Sequence, residues 1–126
     1  MSEREGATSS ELNEIPLISI EDFHRVDIRV GRILSAELLK GARKPAFALR
    51  IDFGETLGVK QSSAQITVHY TAEQLVGSLV LGVINFPPRR IAGFKSEALT
   101  LGVPDENGDV VLISPRSDAP LGARMF

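Results

Sequence analysis

Phe47, Leu49, Ile51 and Phe53 alternate with Ala48, Arg50 and Asp52 without a break, a period of two that fits an extended strand with one buried and one solvated face and fits no helix. A chain with such a segment near its centre is committed to a sheet, and its other apolar runs say which kind. Ile28 and Val30 alternate with Asp27 and Arg29, Gly31 interrupts, and Ile33 and Leu34 continue. This reads as a first strand, with a bulge at the glycine that bends it enough to serve two sheets. Residues 60–66 read as a third strand with a polar face. The nearly continuous run Leu79, Val80, Leu81, Val83 and Ile84 reads as a fourth strand, buried on both faces and central. Pro87 and Pro88 cannot donate to a ladder and stop it. Leu99, Leu101 and Val103 then resume alternation as a fifth strand, and Asp105 to Asp109, with an Asn-Gly pair, turn the chain into an added hairpin strand over 110–113.

Helices are short. Ser19 and Asp22 have the spacing of a capping pair and open a turn through Phe23 that closes one end of the barrel, and Thr71 caps a second short helix over 71–75. A small barrel with a helix between its third and fourth strands has the order of the oligonucleotide-binding (OB) fold, whose strands and loops bind nucleic acid or other ligands. The expected fold is therefore all-β: a five-stranded OB-fold barrel with short helices and an extra hairpin. The chain, 126 residues long, fits one domain. Residues 1–14 are rich in Ser, Glu and Gly, too polar to offset the entropy of ordering them. The expected division is a disordered tail over 1–17 and a barrel domain over 18–126. A domain this small buries only about two-thirds of its unfolded surface. A two-fold mate is the simplest cover for the apolar terminal segments 15–23 and 121–126, and a homodimer is expected.

Several function classes are excluded. No cysteine occurs, which removes disulfides, Cys-ligated zinc and thiol catalysis. His24 and His69 are far apart and lack a neighbouring nucleophile or carboxylate pattern, so neither a triad nor a metal site is expected; His69 with Tyr70 reads as packing or capping near the helix. The glycines are scattered and form no phosphate loop. The expectation is a protein without catalysis or cofactor. The acidic start differs from a signal peptide and no apolar run approaches the ~20 residues of a membrane helix, so a cytoplasmic location without membrane insertion is expected. The net charge of −2 hides an asymmetry. Between residues 1 and 22 six acids face Arg4 alone, whereas between Lys40 and Lys95 eight bases face Asp52, Glu55 and Glu73.

The stretches VDIRVGRI (26–33), ARKPAF (42–47), IDFG (51–54), KQSSAQIT (60–67) and NFPPRRIAGFKSEALTLGVPDENGDVVL (85–112) together resemble the CsaA family of secretion-related chaperones, in order and from about Ile18 to the end. The resemblance implies an OB fold shared with the tRNA-binding domains appended to methionyl-tRNA synthetases and with free-standing tRNA-binding proteins. It also implies a homodimer and a chaperone that binds unfolded or precursor polypeptides in protein export, with a tRNA-binding role suggested by the fold. The free-standing tRNA binders carry a Ser, Gln, Gly, Met pattern where this chain has Ser96, Glu97, Ala98 and Leu99, and a glutamate there repels phosphate.

With the third and fifth strands flanking one face, Lys60, Gln61, Ser62 and Ser63 come near Asn85, Arg89, Arg90, Lys95 and Ser96. Amide and hydroxyl groups pair with a peptide main chain or with sugar and phosphate without reading a side chain or a base. Each polar residue also has a structural reading: Asn85 as a hydrogen bond ending the fourth strand, Ser62 and Ser63 as ordinary strand surface. Arg89, Arg90 and Lys95 crowd into a Pro-rich loop, where binding residues concentrate. Phe47 and Phe53 are assigned to the core by their period. Phe86 and Phe94 bracket the basic loop as candidate walls of an apolar cavity for polypeptide or as stacking groups for tRNA bases.

Overall fold

The computed structural model describes residues 14–126. Most of the expected N-terminal tail, residues 1–13, lies outside them; 14–17 are exposed and belong to no helix or strand. Helix α1 (Ile20–His24) starts where the sequence places it: the Ser19 side chain accepts the Asp22 N–H and the Asp22 carboxylate accepts the Ser19 N–H. Phe23, on its inner side, packs against the barrel.

Strand β1 (Ile28–Leu38) is antiparallel to two neighbours. Its first half, Ile28 to Arg32, pairs with β4 (Leu79–Val83), and its second half, Arg32 to Leu38, pairs with β2 (Phe47–Asp52). The register slips between Ile33 and Ser35, so the bulge that bends the strand falls at Leu34 and not at Gly31. Gly31 has another reason: a Cβ there would meet Ile51 Cγ2 at 2.5 Å and the Phe53 ring at 2.8 Å. β2 continues to β3 (Val59–Ala64), and the five-stranded sheet runs β3-β2-β1-β4-β7, with β7 at Leu99–Thr100. Helix α2 (Ala72–Leu75) links β3 to β4, with a reciprocal cap between Thr71 and Gln74, and plugs the barrel with Leu75.

Closure comes from the segment ahead of β7. The N–H groups of Glu97 and Ala98 both donate to the Gln61 carbonyl, at 2.8 and 3.1 Å, and the Ser62 and Thr100 hydroxyls pair at 2.8 Å. The result is a nearly closed antiparallel five-stranded barrel, the OB fold the sequence predicts. The interior holds Ile33, Phe47, Leu49, Ile51, Phe53, Ile66, Leu75, Val80 and Ala98. Phe47 of β2 and Phe53 just beyond its end are core residues, as their period requires, and β4 is buried along both faces.

The fifth strand is not the single run the alternation suggests. It splits into β7 and β8 (Gly102–Pro104), and β8 pairs with β9 (Val110–Leu112) in the expected hairpin. The expected phase is not kept: Ala98 is buried and Leu99 and Val103 are about half exposed at 48% and 50%, while Leu101 is partly buried against a second apolar cluster. Thr100 is turned toward Ser62 by their hydrogen bond, which forces Leu99 outward.

A second cluster, Ile28, Val30, Leu81 and Val83, faces outside the barrel and is covered by Phe23, Leu121, Ala123 and Met125. The C-terminal segment reaches it by pairing with β1: Gly122 N–H donates to Val30 O, Val30 N–H to Ala123 O, and Met125 N–H to Ile28 O. A charged clamp secures it. Asp27 accepts from Arg29 Nε at 2.6 Å, Arg29 Nη1 donates to Gly122 O at 2.9 Å, and Arg124 Nε lies 3.5 Å from Asp27. The Arg29 hydrogen bond, with the charges of Arg29 and Arg124, holds the Asp27 carboxyl below its ordinary range against a smaller opposing effect of burial. A carboxyl that binds its proton less tightly when folded contributes stability that is complete above the unfolded pKa and is lost as pH falls through the folded one. Wild type is therefore expected to melt higher than Asp27→Asn at neutral pH, with the gap closing as pH drops below about 4. A gap independent of pH would count against the clamp.

Candidate polymer-binding groove

β4 ends by handing its last residues to α1 and β1. Asn85 Oδ1 accepts the Asp27 N–H at 3.0 Å and Nδ2 donates to Arg25 O at 2.7 Å, so its amide is engaged at both ends. That is the structural role the sequence allows it. The chain then leaves the barrel through Phe86, Pro87 and Pro88 and folds into a hairpin that sequence reasoning leaves as a loop: β5 (Arg89–Ile91) against β6 (Phe94–Ser96). Its two-residue turn is Ala92-Gly93, with φ of 51° and 80°. Both values are positive, as the mirror-image turn that suits strand twist demands.

Between this hairpin, the Phe86 corner and the closing seam runs a groove of about 640 Å³. Its walls are Phe86, Pro87, Pro88, Ile91 and Leu99, and its rim carries Ser63, Gln65, Arg89, Ser96 and Glu97. Phe86 is 52% exposed and presents its ring as open apolar surface. The mixture of an apolar floor with a few hydrogen-bonding groups is typical of ligand sites of this size.

The residues singled out from the sequence fall into three groups. Ser63, Phe86, Arg89 and Ser96 line the groove. Lys60, Gln61 and Ser62 belong to the barrel wall: Ser62 is fully buried with its hydroxyl on Thr100, Gln61 holds the seam through its main chain, and Lys60 stands opposite Ile51. Even Ser96 is partly committed, because its hydroxyl accepts the Ser63 N–H at 3.0 Å. Arg90, Phe94 and Lys95 sit on the hairpin outside the groove lining; Arg90 and Lys95 are exposed and directly opposite each other across the two strands. Among the described residues the ion pairs are those of Asp27 and the His69–Asp105 pair, so Arg89, Arg90 and Lys95 have no acidic partner.

Ile91, Leu99, Gln65 and Glu97 are groove residues that sequence reasoning misses. Leu99 is concealed by its apparent place in an alternating strand, and Ile91 by the unseen hairpin. Glu97 is less free than its charge suggests, since its carboxylate accepts the Gln61 N–H at 3.0 Å. His69 Nε2 donates to the Asp105 carboxylate at 2.7 Å and ties β8's turn to the helix, while the Tyr70 hydroxyl accepts the Leu112 N–H. Among the described residues no group of three metal-ligating side chains gathers, and no helix is long and apolar enough to cross a membrane.

The tRNA_bind family model, described as "Putative tRNA binding domain", matches residues 28–124. The crystal structure of chaperone CsaA from Bacillus anthracis str. Ames is similar with a TM-score of 0.82 and 50% identity, covering 88% of this chain and 100% of that one. That of CsaA chaperone protein from Picrophilus torridus gives 0.81 and 43%, covering 87% and 100%. The methionine–tRNA ligase of Methanothrix thermoacetophila is 39% identical over 118 residues, 94% of this chain and 17% of the ligase. The chain thus spans about a sixth of the length of the curated relatives it matches.

Proposed function

The chain belongs to the tRNA binding domain family and to its CsaA group, and from that premise we propose that it is a non-catalytic, dimeric chaperone that holds extended segments of unfolded or precursor polypeptides in protein export. The observation that carries the reading is the open apolar groove floored by Phe86, Ile91 and Leu99 and rimmed by hydroxyl, amide and guanidinium groups. An apolar floor accepts unlike side chains, and a rim that pairs with main chain is indifferent to sequence, which is what a client-tolerant binder needs. Two symmetric copies would engage one extended client at two points, raising avidity through effective concentration. The exposed apolar side chains of Leu17, Ile18 and Ile20 support a two-fold mate as their cover. A cytoplasmic location belongs to the same reading.

The test is anisotropy of a fluorescein-labelled, leucine-containing extended peptide, alongside suppression of aggregation of a denatured client. Phe86→Ala is expected to weaken peptide binding about thirtyfold, the ~2 kcal/mol of an aromatic hot spot. Its Tm should stay within a few degrees of wild type, because the ring is half exposed. Absence of saturable peptide binding by the wild type, together with unaltered client aggregation, would defeat the proposal. A second reading, a structure-specific tRNA binder, is favoured by the hairpin cations, which have no acidic partner among the described residues, and by the family's description.

A further inference from the structure

We infer that the β5–β6 hairpin is a two-faced element: the face toward the groove serves polypeptide, while the outward face, joined by the β1–β2 loop, holds the phosphate backbone of an RNA. The two ligands then occupy separate surfaces. The polypeptide half rests on the groove reading above; the RNA half stands on the hairpin and the β1–β2 loop, independently of that reading.

The register sorts the side chains. Arg89 pairs with Ser96 and Ile91 with Phe94, and Arg89, Ile91 and Ser96 line the groove. Arg90 pairs with Lys95, and alternation turns both to the other face. Like charges directly opposite on a ladder are destabilising, and among the described residues no carboxylate pairs with these two. The hairpin therefore carries an electrostatic cost that an anion would remove. Arg90 spends one N–H on the Gly93 carbonyl at 3.3 Å, which anchors its stem near the turn and leaves the rest of the guanidinium free.

The hairpin's tip does not stand alone. A Cβ on Gly41 would lie 3.7 Å from Ala92 Cβ, so the β1–β2 loop, whose sequence carries Lys40, Arg43 and Lys44, comes up close to the hairpin turn. Neither segment has an acid to offset them: residues 38–51 and 84–96 contain no Asp or Glu. Two adjoining loops of one sign on a rigid barrel form a field that favours a regularly charged polyanion over a mixed-charge polypeptide. Glu97, the acid that follows the hairpin, lines the groove with its carboxylate on the Gln61 N–H, where it disfavours phosphate in the groove itself. The same rim thus directs RNA to the outward face.

The experiment titrates unfractionated tRNA into full-length wild type, Arg90→Glu/Lys95→Glu, Lys40→Glu/Lys44→Glu and Phe86→Ala at several salt concentrations, with the labelled peptide in parallel. Each charge-reversed pair should weaken tRNA at least tenfold at low salt and flatten the log affinity against log salt slope by about one per lost phosphate contact. Both should leave peptide affinity within twofold of wild type, and Phe86→Ala should do the converse. Saturating tRNA should not displace peptide. Mutual displacement, unchanged slopes in both pairs, or wild type that binds polyglutamate but not tRNA would each overturn the inference. Failure of the wild type to bind peptide sinks the chaperone reading while the tRNA slopes still decide the outward face, so the two failures are distinguishable.

Discussion

Phe53→Ala is expected to cost about 3–5 kcal/mol and to lower Tm by on the order of 20 °C. The ring is 1% exposed and sits where the two halves of the sheet meet. It needs two glycines to be there. A Cβ at Gly31 would approach it to 2.8 Å and one at Gly82 to 3.1 Å, so β1 and β4 present bare backbone at the point where the ring crosses them. Truncation leaves that slot empty, and neighbouring strands held by continuous ladders cannot collapse into it. The complementary change has the opposite defect. Gly31→Ala overfills the slot and is expected to cost about 1–3 kcal/mol, of which Phe53→Leu in the same chain should recover part, because the two side chains compete for one volume. Thermal melts of the two singles and the double decide it. A Phe53→Ala protein that melts within a few degrees of wild type would mean that the slot is not the keystone of the barrel.

How much of this was legible beforehand depends on whether the cause is local. β2 is written in its own six residues, since burial alternates within the strand and no distant partner is needed to see it. The caps at Ser19, with Asp22, and at Thr71 are likewise local and are found where the sequence puts them; the reciprocal bond from Gln74 to Thr71 is added by the structure. Ser62 is the opposite case. A serine amid Lys60, Gln61 and Ser63 reads as surface, and only Thr100, 38 residues away, makes it a buried seam residue. The fifth strand's phase is lost for the same reason, because Thr100 outranks Leu99 for the interior once Ser62 is there to receive it.

The bulge and the hairpin fail in a different way. Gly31 announces that something is unusual in β1, but crowding by the Phe53 ring and bulging produce the same residue, and the difference lies in a strand twenty residues on. The β5–β6 hairpin gives no signal because Ala92 occupies a position of positive φ where Asn or Gly is the usual mark. Missing it hides which of Arg89, Arg90 and Lys95 share a face. The cations themselves are plain from the sequence; their sorting into a groove side and an outward side is a property of the register.

Gly122→Ala is expected to cost roughly 3 kcal/mol, more than a left-handed residue alone explains. Gly122 has φ +84, and a Cβ there would lie 2.6 Å from the Phe53 carbonyl oxygen. That oxygen is main chain at the end of β2, so neither partner can yield without moving a strand or releasing the C-terminal segment. Gly108 supplies the control. Its φ is +86, and a Cβ there meets nothing within 4 Å, so Gly108→Ala carries only the conformational penalty of about 1–2 kcal/mol. The excess at Gly122 is the contact. Relief by release would break the hydrogen bonds that Gly122 and Ala123 make with Val30, remove the acceptor of Arg29 and uncover Ile28, Val30, Leu81 and Val83. Amide exchange at Val30 and Met125 should therefore quicken far more in Gly122→Ala than in Gly108→Ala, while the amides of β2 and β3 stay protected. Equal melting temperatures for the two variants would show that the C-terminal segment rides over β2 without being held against it.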